Sequence, residues 1–258
     1  MIFETHAHYD DEAFDMDREE LLTSMAEHGV DKIINIGANL STSEQTVALT
    51  KKYPYLYGAV GVHPSDSGEL NEENFLKLKS MANNEKIVAI GEIGLDYYWD
   101  TPDRETQKKW FYRQMDLARE IKLPAVIHSR DAAKDTLDFI KDANLAEVGG
   151  VIHCFSYGKE MAKEYLDMGF YLGIGGVLTF KNAKKLKEVV EYAPIEQLVL
   201  ETDCPYLAPE PYRGKRNSSI YLNYVAEAIA SLKHMDYEKV LEITYQNAMD
   251  MYRIKKEK

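Results

Sequence analysis

Residues 2–10 read IFETHAHYD, and the choice of fold turns on how this first apolar run ends. Ile2 and Phe3 open an extended segment, and His6 and His8 close it two residues apart. In a strand, positions i and i+2 face the same side, so both imidazoles reach toward one point. An open doubly wound sheet usually carries a glycine-rich phosphate loop here. This chain has histidines there instead. Apolar runs of the same kind recur at 32–37 (KIINIG), 56–62 (LYGAVGV), 86–94 (KIVAIGEIG), 124–129 (PAVIHS), 149–155 (GGVIHCF), 170–176 (FYLGIGG) and 197–203 (QLVLETD). Most are rich in Val and Ile and nearly unbroken by polar residues, the pattern of parallel strands covered on both faces.

Helical patterns lie between the runs. Residues 17–29 offer Asp17 as N-cap, Glu20 three residues on, a stripe through Leu21, Leu22 and Met25, and Gly29 as a stop. In 101–124, Thr101 is the expected N-cap, Pro102 the first helical residue, and Pro124 lies past the end. Trp110, Phe111, Met115, Ala118 and Ile121 keep helical spacing within it. Residues 158–169, 182–194 and 218–234 read the same way, and a last helix is expected from Tyr237 to about Ile254. Eight strands, each followed by a helical stretch, make an α/β chain of the (β/α)8 TIM-barrel class. No Gly/Ser-rich or Pro-rich linker interrupts it, so residues 1–258 read as a single domain.

Composition narrows the function classes. The chain has 258 residues, is 45% hydrophobic and carries a formal charge of −12. A negative field disfavours tight binding of polyanions unless cations gather locally. The two cysteines, Cys154 and Cys204, are no disulfide framework and fit a reducing compartment. Each follows a candidate site residue, and strand alternation is expected to turn both toward the helix layer as small core residues. One strand between them would hold them about 9–10 Å apart, beyond disulfide reach. The first twenty residues show no signal-peptide pattern, and no apolar run is long enough to span a membrane. The expectation is a cytoplasmic protein with no membrane association and no obligate protein partner.

In such a barrel the active site lies at the C-terminal ends of the strands. Five of the seven histidines fall there: His6, His8, His63, His128 and His153. Glu92 and Asp203 join them at the ends of strands 4 and 8. A lone His-x-His pair or a lone strand-end carboxylate also fits a plain structural role. The joint arrangement over five strands points to metal, because imidazole and carboxylate together suit Zn²⁺, Mn²⁺ and related ions. His6, His8 and Asp203 are read as holding one divalent ion, His128 and His153 a second, and Glu92 as bridging the two. Asp203 is also assigned the proton of an activated water. His63 is read as a donor facing substrate, and Glu201, one layer deeper than Asp203, as an orienting partner for a histidine.

The motifs THAH (5–8), VGVHP (60–64), GEIGLDYYWD (91–100), VIHSRDA (126–132), HCFS (153–156), GGVLTF (175–180) and LETDCPYLAP (200–209) with RGKRN (213–217) together closely resemble the TatD family of metal-dependent deoxyribonucleases. The likeness runs in order from His6 to about Asn217. It implies a (β/α)8 barrel of the metal-dependent hydrolase group, with nuclease activity supported by two divalent ions (Zn²⁺, Mn²⁺ or Mg²⁺). It implies metal ligation by His6, His8, Glu92, His128, His153 and Asp203, with His63 at the phosphate. Glu92 stands where many relatives in the wider group use a carbamylated lysine. The chain departs from the usual pattern at Glu4 (commonly Asp), Tyr157 (commonly Gly) and Ser218–Ser219 (commonly Glu-Pro). The last departure bears on how the loop after strand 8 is anchored.

The expected substrate is a DNA end or single strand, cleaved exonuclease-like through a metal-activated hydroxide. Arg130, Arg213, Lys215 and Arg216, with Lys181, are the candidate phosphate contacts. Tyr97, Tyr98, Trp99, Phe155, Tyr157, Phe180, Tyr206 and Tyr212 are rings near the same rim on which bases could stack. The competing reading is an amidase, lactonase or other ester hydrolase on the same metal platform, which fold alone does not separate.

Overall fold

The computed structural model describes residues 1–255. Eight parallel strands pair in chain order: β1 Ile2–Ala7, β2 Val30–Ile36, β3 Leu56–Val60, β4 Ile87–Asp96, β5 Ala125–Arg130, β6 Gly150–Ile152, β7 Tyr171–Ile174 and β8 Leu198–Leu200. The helices between them are α1 Arg18–Ser24, α2 Leu40–Lys52, α3 Glu72–Ala82, α4 Arg104–Ile121, α5 Ala133–Asp142, α6 Lys159–Asp167 and α7 Lys184–Tyr192. Two more, α8 Leu222–Lys233 and α9 Tyr237–Met251, follow β8. This is a nearly closed (β/α)8 barrel. All eight expected strands form, though β6 and β8 stop three residues earlier than the apolar runs suggest.

Two side-chain layers explain why these strands stay put. Val126, Val151 and Val199 lie two or more positions before His128, His153 and Asp203 on the same alternating faces. They cluster with Phe3, Ile34, Ile36 and Val88, closed off by Met249 and Tyr252 at the end of α9. They therefore form an interior apolar layer beneath the strand-end polar residues. The opposite faces, with Ile33, Leu56, Ile127, Ile152 and Leu172, pack against the helices.

Local expectations fare unevenly. Asp17 is the residue before α1, but its side chain makes no cap; it binds Arg216 instead. The α4 helix starts two residues later than expected. Asp103 caps it, accepting from Thr106 N at 3.1 Å, while Thr101 and Pro102 lie outside the helix. An Asp carboxylate beside a first helical turn serves both the free amides and the helix dipole.

The β8–β1 seam is closed mostly by individual bonds rather than a regular ladder. Ala7 bridges to Cys204, His8 N donates to Cys204 O, and Asp203 N donates to His6 O. Thr5 Oγ1 donates to Leu200 O.

Candidate metal centre

Strand ends deliver seven polar side chains to one place. Among them, His6, Glu92 and His153 are almost fully buried. His6 Nε2 lies 3.1 Å from His8 Nε2 and 3.4 Å from Glu92 Oε2. Asp203 Oδ1 is 3.3 Å from His8 Nε2 and 3.7 Å from His6 Nε2. The other oxygen of Glu92 faces a second set: Oε1 is 2.9 Å from His128 Nδ1, 3.7 Å from His153 Nε2 and 3.9 Å from His63 Nε2. Glu92 thus turns one oxygen to each group.

The outer partners of the rings fix which nitrogen has a free lone pair. His8 Nδ1 is 2.8 Å from Ile36 O, so it donates and leaves Nε2 as the acceptor. His128 Nε2 is 3.0 Å from Asp96 Oδ2, so it donates there and Nδ1 is the acceptor. His153 turns Nδ1 toward Glu201 Oε1 at 3.1 Å, outside good hydrogen-bond alignment, and aims Nε2 inward. In each neutral ring the free lone pair points to the carboxylates. His63 is the exception. Its Nδ1 accepts from Ser65 N at 3.2 Å, so its Nε2 carries the proton and is a donor.

Acceptors facing acceptors at these distances repel unless protons or cations lie between them. The pKa pattern says the same. Burial opposes charge on His8, yet its hydrogen bond to Asp203 and the nearby Glu92 push it up to about 9. Burial opposes charge on His153 too, and Glu201 and Glu92 push it up to about 10. Glu92 is held well below the usual carboxylate range despite burial, by His153, His128 and His6. His63 moves the other way, down to about 3, through burial and the neighbouring His128. It is a neutral imidazole with its donor facing the cup. Three groups, His6/His8/Asp203, His6/His153/Glu201 and His63/Glu92/His128, are each tight enough to hold a metal ion, so the group around His128 takes in His63, while His153 groups with His6 and Glu201. The residues fit a cation: they form a buried, acceptor-rich donor set of imidazole and carboxylate.

Over the whole chain, the residues match the model of the TatD-related DNase family from 3 to 253. The chain belongs to the TatD-related DNase family. It is 44% identical over 254 residues to the uncharacterized metal-dependent hydrolase YabD of Bacillus subtilis, covering 98% of this chain and all of that one. It is 30% identical over 246 residues to the 3′-5′ ssDNA/RNA exonuclease TatD of Salmonella typhimurium, covering 93% and 95% of the two chains. Among solved structures it is similar to YjjV, a TatD homolog from Escherichia coli K12, with a TM-score of 0.93, 28% identity and 98% of both chains covered. The protein is accordingly a metal-dependent hydrolase of the TatD family.

The candidate phosphate contacts are more scattered. Arg130 stacks on Tyr98 at 3.9 Å and reaches Trp99 at 6.0 Å. Arg213 lies over Phe180 at 4.3 Å. Arg216 is tied to Asp17 and donates to Ala13 O at 2.7 Å, so it joins two loops. Lys215 and Lys181 are exposed. Of the rim rings, Tyr98, Trp99 and Tyr206 are exposed, while Phe155 and Phe180 are buried.

Three residues of this region were not singled out from the sequence. Asp96 binds His128 and also accepts Tyr98 N at 3.0 Å and Trp99 N at 3.1 Å. Asn35 donates to Asp10 Oδ1 and accepts from Tyr9 N. Thr202 donates to Glu4 Oε2 at 2.6 Å. For Asp96 a signal existed: it lies four residues after Glu92 on the same strand, hence on the same face.

Both cysteines are free thiols. Cys204 is buried as expected. Cys154 is not simply turned to the helix layer. β6 ends at Ile152, Cys154 has φ +46°, and strand alternation no longer applies there; it lines a cavity beside Asp203.

Proposed function

We propose that the protein hydrolyses phosphodiester bonds at DNA ends or in single strands, exonuclease-like, with two divalent ions held by His6, His8, Glu92, His128, His153 and Asp203. The observation that carries the reading is the split of Glu92, one carboxylate oxygen to each ligand group. Zn²⁺, Mn²⁺ and Mg²⁺ are the candidates. Divalent ions bound there would supply an acidified water and neutralise charge on the phosphate.

The side chains have separate tasks. Asp203, at the open side of the cup, takes the proton of the attacking water. His63 offers its Nε2–H to a phosphate or leaving-group oxygen, a task suited to a ring that stays neutral. Arg130 with Tyr98 and Trp99 makes a platform of cation and exposed rings beside the cup, the combination that receives an unpaired base and its phosphate. Arg213 and Lys215, with Arg216 bracing the loop, contribute positive charge on the opposite side. The name of the Salmonella relative supports the single-strand preference.

The test is an assay of end-labelled single- and double-stranded DNA with the purified protein, loaded in turn with Mg²⁺, Mn²⁺ and Zn²⁺. Stepwise loss of nucleotides from single strands is expected. Hydrolysis of a lactone or cyclic amide, with DNA ends left intact under every ion, would overturn the reading.

A further inference from the structure

A cavity of about 510 Å³ opens beside the cup, between the loops that follow β6, β7 and β8. Its inner edge is Glu201, Thr202 and Asp203, so it begins where the candidate metal centre ends. Phe155, Val177, Leu186 and Leu207 give it apolar walls. Gly176 keeps those loops close: a Cβ there would lie 2.2 Å from Leu207 O. The outer edge carries Asn182, Lys184 and Lys185. Both lysines are exposed, and neither makes an ion pair among the described residues.

This lining has a direction. Among its lining residues the only carboxylates are Glu201 and Asp203, both at the inner edge: Asp203 faces His8, and Glu201 Oε1 accepts from Cys154 N at 2.6 Å. The Cys154 thiol forms part of the wall. An aromatic heterocycle fits apolar walls with few polar groups. The volume falls in the usual range for small-ligand pockets, about 300–1,000 Å³. A larger cavity, about 940 Å³, lies at the far end of the barrel, and Glu196, Glu238, Glu242 and Asp250 line it. Those carboxylates would repel a nucleotide.

We propose that the cavity between the β6, β7 and β8 loops holds the sugar and base of the terminal nucleotide while its phosphate lies at the cup. The proposal rests on the phosphodiester reading above and adds to it a seat for the nucleotide that is released. It makes a nucleoside monophosphate a product inhibitor, and it makes the base part of what the enzyme recognises.

The experiment uses the metal-loaded protein and two probes, deoxythymidine 5′-monophosphate and inorganic phosphate, titrated by calorimetry. Stacking of a base in the cavity should make the nucleotide bind on the order of tenfold more tightly than phosphate. Val177→Trp fills the cavity and should erase that difference. It should also lower, on the order of tenfold, the ratio of kcat/KM for an oligonucleotide to that for bis(p-nitrophenyl) phosphate, a diester without a base. Equal binding of nucleotide and phosphate by the native protein would overturn the proposal. So would a folded Val177→Trp protein that keeps the native preference. If the native protein cleaves neither diester, the phosphodiesterase reading falls. Nucleotide binding that Val177→Trp abolishes would then still uphold the cavity, and its absence would sink both.

Discussion

Asp96→Asn is the sharpest probe of the candidate metal centre, because it changes one atom type at a residue outside the ligand set. Asp96 Oδ2 sits 3.0 Å from His128 Nε2, while Oδ1 accepts the backbone amides of Tyr98 and Trp99 at 3.0 and 3.1 Å. The aspartate therefore forces the His128 proton onto Nε2 and frees the Nδ1 lone pair, which points at Glu92 Oε1, 2.9 Å away. Asparagine has only one carboxyl-like oxygen. If it keeps the two backbone amides, its NH₂ group meets His128 Nε2, donor against donor. The ring must then move its proton to Nδ1, where it donates to Glu92 and offers no lone pair to a cation.

The expected cost is that of losing an outer partner of a metal-bound histidine, about 10- to 100-fold in affinity. That corresponds to about 1.4–2.7 kcal/mol. It should fall on one ion, because His6, His8 and Asp203 do not touch Asp96. Calorimetric titration of the chelated protein should show one site near native affinity and one weakened, with metal analysis moving from two ions toward one at limiting metal. The other outcome open to asparagine is a flip that turns its NH₂ to the Tyr98 and Trp99 amides. That loses two backbone bonds, worth about 1 kcal/mol each, and should appear as a lower melting temperature in the metal-free protein. A variant with native affinity at both sites and a native melting temperature would refute the tautomer argument outright.

Other consequences can be measured alongside. Glu92→Gln keeps shape but removes the charge shared by both groups; metal content should fall at both sites and kcat by about 10³ or more, about 4 kcal/mol, and a variant retaining two ions would disprove the bridge. His63→Ala should keep its metal while kcat/KM falls about ten- to hundredfold, the worth of a hydrogen bond to a charged oxygen, about 1.5–3 kcal/mol; a halved metal content would make His63 a ligand instead. Chelated protein should lose stability as pH rises. His8 and His153 have folded values of about 9 and about 10, above the ordinary 6.5, so their contribution is complete below about 6.5 and is lost as pH climbs through 9 and 10. Glu4, raised by burial to about 7, adds a loss of the same sign between 4.5 and 7. Melting temperatures should therefore be lower at pH 9.5 than at pH 6 without metal, and restoring a divalent ion should narrow the gap; a metal-free protein that melts higher at pH 9.5 would count against this electrostatic account.

What the sequence made legible follows from which signals are local. Val- and Ile-rich runs announce buried parallel strands directly, and His or carboxylate at the end of such a run has few cheaper explanations than a shared site. That is why the barrel and the seven residues at its strand ends are legible in the sequence. Caps were harder. Thr101–Pro102 looks like a helix start, yet Asp103 two residues later satisfies the first turn, and nothing in the local pattern ranks the two. Strand alternation does not place Cys154, because β6 is only three residues long and ends at Ile152. Asp96 and Thr202 act through partners 32 and 198 residues away, a kind of pairing that spacing alone does not reveal.

The sequence departures at Glu4, Ser218 and Ser219 make physical sense when taken together. Glu4 is fully buried, and its carboxylate collects His6 N, Thr202 N, Thr202 Oγ1 and Ser219 Oγ, all within 3.0 Å. Tyr9 OH adds a bond to Ser219 Oγ at 2.8 Å, and Asn217 Nδ2 donates to Thr202 O and Tyr206 O. The loop after β8 is thus anchored by hydroxyls on a carboxylate supplied from β1. An aspartate at position 4, one methylene shorter, would reach these partners less well, so the longer residue at one position and the small hydroxyls at the other belong to one arrangement. Its location matters for chemistry. The β8–β1 seam has almost no strand ladder, yet His6, His8 and Asp203 converge across it. A buried polar network does there what ladder hydrogen bonds do elsewhere in the barrel: it sets the spacing of three groups that must meet at one cation.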